Sequence, residues 1–364
     1  MLISVGMSRK VVLLGPLPPP HGGVSVYMSL LSEHLKPAGA RAWAYTGGGR
    51  AKGDHVTHFK HRRLGLVPLV MKEGRGARVL DATHFHLEYP NPLLLPAWLL
   101  LKRLSGLRWY KHIHDGSLPS RWREFGPFHR LLFRLAVGAV DEFVVAGPEL
   151  RRWLVEEVGA RQKVTVVPSL LPVPREFMEA GLSEVNERAL GPYLRRAKRV
   201  CSIGVFIHAY GFLDAARAVE RVRAETGEDV GLLLLDGGFA RDEAYREEVM
   251  RGREWVTVLE EVPNREVYSI LGRSHAFVRA TSEEGYGISR VEAKWCGLPV
   301  VATNVGETRG MLTYEFGDTA ALAAQLNRAL YEPPAPSDAD WAEQFRLEAE
   351  THLQTLKDVL GITR

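Results

Sequence analysis

Residues 274–304 read SHAFVRATSEEGYGISRVEAKWCGLPVVATN. The short apolar run 276–278 fits a buried strand, and the polar stretch 281–284 fits a turn. Gly285-Tyr286-Gly287 follows, and residues 288–296 then have helical apolar spacing. Gly297-Leu298-Pro299 stops that helix, and 300–302 begins another strand. The unit is therefore strand, glycine-rich turn, helix, strand. Such a turn offers free backbone N–H groups and the positive end of a helix to an anion. Glu284 and Glu292 stand eight positions apart, one before the helix and one inside it. Two acceptors at different depths beside an anion cradle suit a ligand that bears both phosphate and hydroxyl groups.

Outward from this stretch, the chain alternates strands and helices. At 364 residues it is long enough for two domains of ordinary size. In the first half, strands are expected over 10–15, 41–45, 55–59, 78–87, 108–114, 141–146 and 163–167, and helices over 24–35 and 148–158. In the second half, strands are expected from 199, over 230–235 and over 255–259. Helices are expected there over 210–223, 241–251, 265–271, 320–330 and 339–360. This pattern predicts parallel sheets covered by helices on both faces, hence an α/β protein of two Rossmann-like domains. The expected division is 1–172, a linker with a charged helix over 173–196, a second domain over 197–335, and a tail over 336–364 that returns to the first domain.

Several stretches bear on chemistry. Residues 15–23 (GPLPPPHGG) lead from the first strand into a helix, and the pair Gly22-Gly23 lets the backbone approach a ligand closely. The apolar start of the chain is interrupted at Gly15-Pro16 and reads as this first strand rather than a leader peptide. Cys201 and Cys296 lie in apolar contexts and suit inert core thiols in a reducing compartment. No dinucleotide fingerprint opens a helix, and the turn at 47–49 lacks the lysine of a phosphate-binding loop. No apolar run reaches the ~18 residues needed to span a bilayer.

Charge is uneven. Residues 1–175 hold 25 Lys+Arg against 12 Asp+Glu, a net +13, and the remainder is −9. The basic half suits an anionic lipid surface, an acidic substrate or nucleic acid. Nucleic acid is disfavoured because no binding motif accompanies the charge. Residues 91–106 (NPLLLPAWLLLKRLSG) suit a core helix or one lying on a membrane surface. Residues 121–135 (RWREFGPFHRLLFRL) suit one amphipathic helix near lipid head groups or a bulky anionic acceptor. The pairs His84/His86 and His112/His114 each place two imidazoles on one face of a strand, a pattern that would suit zinc. Asp338 and Asp340 read as helix-start chemistry.

The stretch 284–293 (EGYGISRVEA) followed by 297–303 (GLPVVAT) resembles the E-x7-E signature of retaining GT-B glycosyltransferases of the family 4 type. The double-glycine loop, the alternating halves and the tail helix extend that resemblance over most of the chain. It implies two Rossmann-like domains with the donor nucleotide on the second and the acceptor on the first. By carry-over, Glu284 would bind hydroxyls of the transferred sugar and Glu292 the ribose. Amides of Gly287, Ile288, Ser289 and Arg290 would hold the diphosphate, with Gly285 and Tyr286 in the same turn, and backbone amides of the Gly22-Gly23 loop would meet the donor phosphate. His114 resembles the histidine beside the sugar. The resemblance implies a nucleotide-sugar donor of UDP or GDP type, no cofactor and no metal. It also implies a sugar or other small-molecule, lipid-linked or polysaccharide acceptor. The protein is expected in the cytoplasm, extending to the inner face of the membrane.

The chain departs from the family at one place. An Arg and a Lys usually follow the first strand of the second domain, but here Val205 and Tyr210 stand at those positions. Arg279, Arg290 or His208 is the expected replacement, with Tyr210 a further phosphate contact. The departure keeps a non-catalytic relative open as one alternative. The paired histidines keep a metal-dependent hydrolase open as another.

Overall fold

A computed structural model describes residues 10–19, 21–45, 55–58, 69, 72–73, 76–83, 95–238, 242–332 and 338–362. His84, His86 and the turn at 47–49 fall outside the described residues. The chain forms two compact units. One comprises Met1–Pro19, Val24–Leu171 and Thr351–Arg364; the other comprises Pro20–Gly23 and Pro172–Glu350.

The first unit holds a seven-stranded sheet of order β3-β2-β1-β4-β5-β6-β7, parallel at every described pairing. Its strands are β1 Val11–Pro16, β2 Arg41–Tyr45, β3 Val56–His58, β4 Arg78–Asp81, β5 Arg108–Ile113, β6 Glu142–Val145 and β7 Lys163–Val166. Helix α1 (Gly23–Leu35) leaves β1, and α2 (Leu95–Ser105) connects β4 to β5. Between β5 and β6 the chain forms α3 (Leu118–Glu124) and α4 (Pro127–Ala139), where a single helix was expected. The break has a local cause. Gly126 is extended and Pro127, which has no N–H to donate, starts a new helix at its first position. Helix α5 (Pro148–Trp153) widens into a π turn over Leu154–Val158 before β7.

The second unit holds a six-stranded parallel sheet of order β10-β9-β8-β11-β12-β13. The strands are β8 Lys198–Gly204, β9 Val230–Asp236, β10 Val256–Glu260, β11 Ala276–Arg279, β12 Val300–Thr303 and β13 Leu312–Tyr314. Side chains alternate between the faces with the pleat. Leu232, Leu234, Val278 and Val301 enter one core, and Leu233, Leu235, Phe277 and Val300 enter the other. That is why β9 reads as an unbroken apolar run: a central parallel strand is covered on both sides.

Residues 173–196, read as a linker, are packed. They form α6 (Arg175–Met178) and α7 (Glu184–Leu194), and Leu190 and Tyr193 are fully buried in the second core. The connecting helices are α8 (Phe212–Thr226), α9 (Glu243–Met250), α10 (Asn264–Leu271), α11 (Ile288–Trp295) and α12 (Thr319–Tyr331). The tail helix α13 (Asp338–Leu360) belongs to the second unit up to Glu350 and to the first from Thr351. Within the first unit, Arg78 donates to the carbonyl of Leu360. Among the described residues, no helix is long and apolar enough to cross a membrane.

Candidate functional site

Both sheets reverse strand order, the first between β1 and β4 and the second between β8 and β11. Ligands of open α/β sheets bind beyond the carboxyl ends of strands at such a reversal. The stretch 279–292 leaves β11 at this place in the second unit.

Glu284 sits in the turn after β11. Its Oε2 accepts from Arg279 Nε at 3.0 Å and Nη2 at 2.8 Å, and Arg279 Nη1 donates to the carbonyl of Ile203. The Arg279 guanidinium also lies over the Tyr210 ring, 4.6 Å from its centroid. The turn around Glu284 is fixed by glycine. Gly287 has φ +90°, and a Cβ there would lie 3.0 Å from Arg290 Cδ and 3.3 Å from Glu284 Cγ. Gly306 has φ +70°, and a Cβ there would lie 2.9 Å from Glu284 Cγ. Neither position tolerates a side chain without moving the carboxylate.

Helix α11 begins at Ile288, and the Arg290 N–H already donates to the Gly287 carbonyl at 3.0 Å. The expected cradle of amides therefore ends one residue earlier, at Ser289, because a first helical turn leaves only its leading N–H groups without an intrahelical partner.

Arg290, expected to face a diphosphate, does not reach the surface. It is fully buried, and its guanidinium donates to the carbonyls of Val305 and Glu307 (the latter at 3.3 Å) and to Thr303 Oγ1 at 3.3 Å. Burial lowers its pKa to about 10, so it stays charged at neutral pH while its charge is spent on the loop after β12. That charge was expected to replace a missing cation; it braces the loop instead.

Glu292 lies on the buried side of α11. Tyr268 on α10 donates its hydroxyl to Glu292 Oε1 at 2.6 Å. Burial raises the Glu292 pKa, and the Tyr268 hydrogen bond opposes that rise. Val205 is fully buried, so that position supplies core, and His208 is exposed with its ring 4.3 Å from Tyr245. Tyr286 is buried, and its carbonyl accepts from the Glu307 N–H at 2.9 Å.

In the double-glycine loop, burial lowers the His21 pKa, and the nearby Glu261 carboxylate opposes this. Glu261 is the non-glycine residue with positive φ, +50°, among the described residues. Such backbone is uncommon and clusters at ligand sites. Neither it nor Tyr268 was singled out by sequence: positive φ at a glutamate has no sequence signal, and Tyr268 lies 24 positions from its partner.

The first unit places His114 just past β5. Its Nδ1 lies 2.7 Å from Ser169 Oγ, and its ring lies 4.7 Å from Tyr27 and 3.8 Å from His112. His112 is almost fully buried, and burial, with help from Lys111, pushes its pKa down to about 3. Beneath them Lys111 pairs with Asp81 at 3.4 Å, both side chains buried. Asp81 also accepts from Thr83 and from Trp109 Nε1. Among the described residues no group of three or more His, Cys, Asp or Glu is placed to hold a metal ion. Burial raises both thiols, Cys296 to about 12, which suits inert core residues.

Two doubly wound parallel sheets, the second with a glycine turn and paired glutamates at its strand reversal, are the GT-B architecture. Residues 197–332 match the family model described as glycosyl transferases group 1. The chain is 26% identical over 226 residues to glycogen synthase of Mycobacterium tuberculosis, covering 56% of this chain and 53% of that protein. It is 30% identical over 196 residues to 2-deoxystreptamine glucosyltransferase of Streptomyces kanamyceticus, covering 50% and 49%. The chain thus spans about half the length of these curated relatives. The fold is also that of an alpha,alpha-trehalose-phosphate synthase (UDP-forming) from Burkholderia vietnamiensis. There the TM-score is 0.71 at 16% identity, covering 98% of this chain and 100% of that one.

Proposed function

We propose that this protein is a retaining, metal-independent glycosyltransferase that moves a sugar from a UDP- or GDP-type donor to a sugar or other small-molecule, lipid-linked or polysaccharide acceptor. The observation that carries the reading is the placement of Glu284 and Glu292 on either side of the start of α11, at the strand reversal of a unit that matches the group 1 family. In this reading Glu284 accepts from hydroxyls of the transferred sugar, and Arg279 holds it in place. Glu292 accepts from the ribose. The leading amides of α11, Ile288 and Ser289, face the diphosphate, where fixed dipoles favour the developing negative charge. His114 is proposed to act on the transferred sugar, the role that the resemblance gives it.

The bond from the anomeric carbon to the diphosphate oxygen breaks, and a bond to the acceptor oxygen forms on the same face. The acceptor proton passes to the departing phosphate. The protein contributes orientation and charge stabilisation rather than a covalent intermediate. The basic N-terminal half gives the enzyme a second partner, an anionic membrane surface at the inner leaflet.

Thermal unfolding in EDTA with UDP, GDP, ADP and their sugar conjugates tests this. A ligand of the folded state raises the midpoint by mass action. A rise with one nucleotide, lost in E292A, is the expected outcome. No rise with any nucleotide would overturn it in favour of a non-catalytic relative.

A further inference from the structure

We propose that the outward faces of α2 and α4 form the surface by which the first unit docks on a bilayer bearing anionic head groups. This rests on the membrane part of the reading above and not on its catalytic part.

A helix on the flank of a sheet normally turns polar residues to water. Helix α4 does the reverse on part of its outer face. Phe133, Ala136, Val137 and Ala139 enter the core, yet Phe128, Leu131 and Leu135 are 64%, 55% and 50% exposed. Their spacing of three and four residues puts them on one stripe. Helix α2 repeats the arrangement, with Leu100 and Leu104 exposed by 58% and 68% and Arg103 exposed between them. Chains that connect β4 to β5 and β5 to β6 cross the sheet in the same direction. Right-handed crossovers therefore put α2 and α4 side by side on one face. Both helices pack the same core, through Leu95 and through Phe133.

The chemistry around the stripes selects the occupant. Neither helix contains an acidic residue. Arg123, Arg130 and Arg134 border α4; Arg130 and Arg134 lie 5.6 and 5.5 Å from the Trp122 ring, which holds their charge at the margin. With Lys102 and Arg103 they outnumber the local acids Glu124, Asp141 and Glu157, of which Asp141 pairs with Lys102 at 2.9 Å and Glu157 with Arg123 at 2.8 Å. A second copy of this chain would bring like charges together across the surface. An apolar stripe rimmed by arginine suits the boundary between acyl chains and anionic phosphate.

The test is sedimentation of the whole protein with vesicles of phosphatidylcholine alone or mixed with phosphatidylglycerol. Binding to the anionic vesicles only, weakened by salt, is expected, and L131D/L135D should reduce it roughly tenfold or more. R103E, which leaves the apolar stripe intact, should weaken it severalfold. Cooperative thermal unfolding of the same preparations shows that each variant is folded, and the same scans with nucleotide test the transferase reading separately. Equal binding to neutral vesicles, no binding by the wild type, or undiminished binding by L131D/L135D overturns the surface. So does concentration-dependent dimerisation abolished by L131D/L135D, which would assign the stripe to a second copy. Absence of the nucleotide shift in a wild type that binds vesicles sinks the transferase reading and leaves the surface standing.

Discussion

Replacing Tyr268 with Phe removes one hydroxyl and keeps the ring that fills the core between α10 and α11. The lost contact is the 2.6 Å hydrogen bond to Glu292 Oε1. A hydrogen bond to a charged group is worth about 1.5–3 kcal/mol, which caps the loss of donor affinity at roughly ten- to a hundredfold. The direction with pH follows from the site. Burial raises the Glu292 pKa and the Tyr268 hydroxyl opposes it, so Y268F raises that pKa further. On the proposed reading only the ionised carboxylate accepts from two ribose hydroxyls, so donor binding weakens as pH falls through the Glu292 pKa. In Y268F that acidic limb moves to higher pH. Stability has its own sign. A carboxyl whose folded pKa lies above its unfolded value holds its proton longer when folded, and its contribution to stability falls as pH rises through the folded pKa. Y268F should therefore destabilise most above that pKa and least in acid, where the neutral acid no longer needs a donor. Isothermal titration of the donor nucleotide across about pH 5 to 8, with thermal unfolding at each pH, reads both effects. A variant whose donor Kd and midpoint match the wild type at every pH would refute the argument.

Three further perturbations follow from the geometry. R279M leaves Glu284 Oε2 without its two donors in a largely buried place. It should cost about 2–3 kcal/mol, between the surface and buried cases, and R279M/E284Q should recover stability in urea unfolding while turnover stays low. G287A forces a Cβ into a φ of +90° and against Arg290 and Glu284, so a loss of about 1–3 kcal/mol in urea unfolding is expected together with weaker donor binding. K111M strands the buried Asp81 charge and should cost about 3–5 kcal/mol in the same assay, whereas K111M/D81N should cost less.

How much of this was legible in the sequence depends on how far each signal reaches along the chain. The strands β8, β9, β11 and β12 were legible because parallel strands covered on both faces are apolar runs bounded by turn residues. The glycine turn and the two glutamates were legible because their geometry is set within nine residues. The break between α3 and α4 was written in Gly126-Pro127, but apolar spacing continues across it and masked the stop. Strand β13, three residues long at a sheet edge, has too short a pattern to read. What could not be read was the pairing of charges. Arg279 and Arg290 are near the turn in sequence, yet one is bound to Glu284 and the other to carbonyls of residues 305 and 307. Those partners are set by the packing of β11 against β12, not by local spacing.

That pairing bears on the diphosphate. The usual Arg position is Val205, which is core, and the usual Lys position is Tyr210, whose ring supports the Arg279 guanidinium. A cation therefore does stand beside this loop, but it arrives from β11 and two of its N–H groups face Glu284. An ion pair of this kind neutralises itself, so on the proposed reading the diphosphate meets chiefly the start of α11, whose dipole is equivalent to about half an elementary charge. A diphosphate carries more charge than that, so the free nucleotide should gain little from its phosphates. The sugar hydroxyls at Glu284 and the ribose at Glu292 then supply a larger share of affinity than in a site with two free cations. The intact sugar nucleotide should accordingly bind at least as tightly as the nucleoside diphosphate, and its affinity should fall only weakly with salt, because the contacts that hold it are hydrogen bonds accepted by carboxylates largely shielded from solvent.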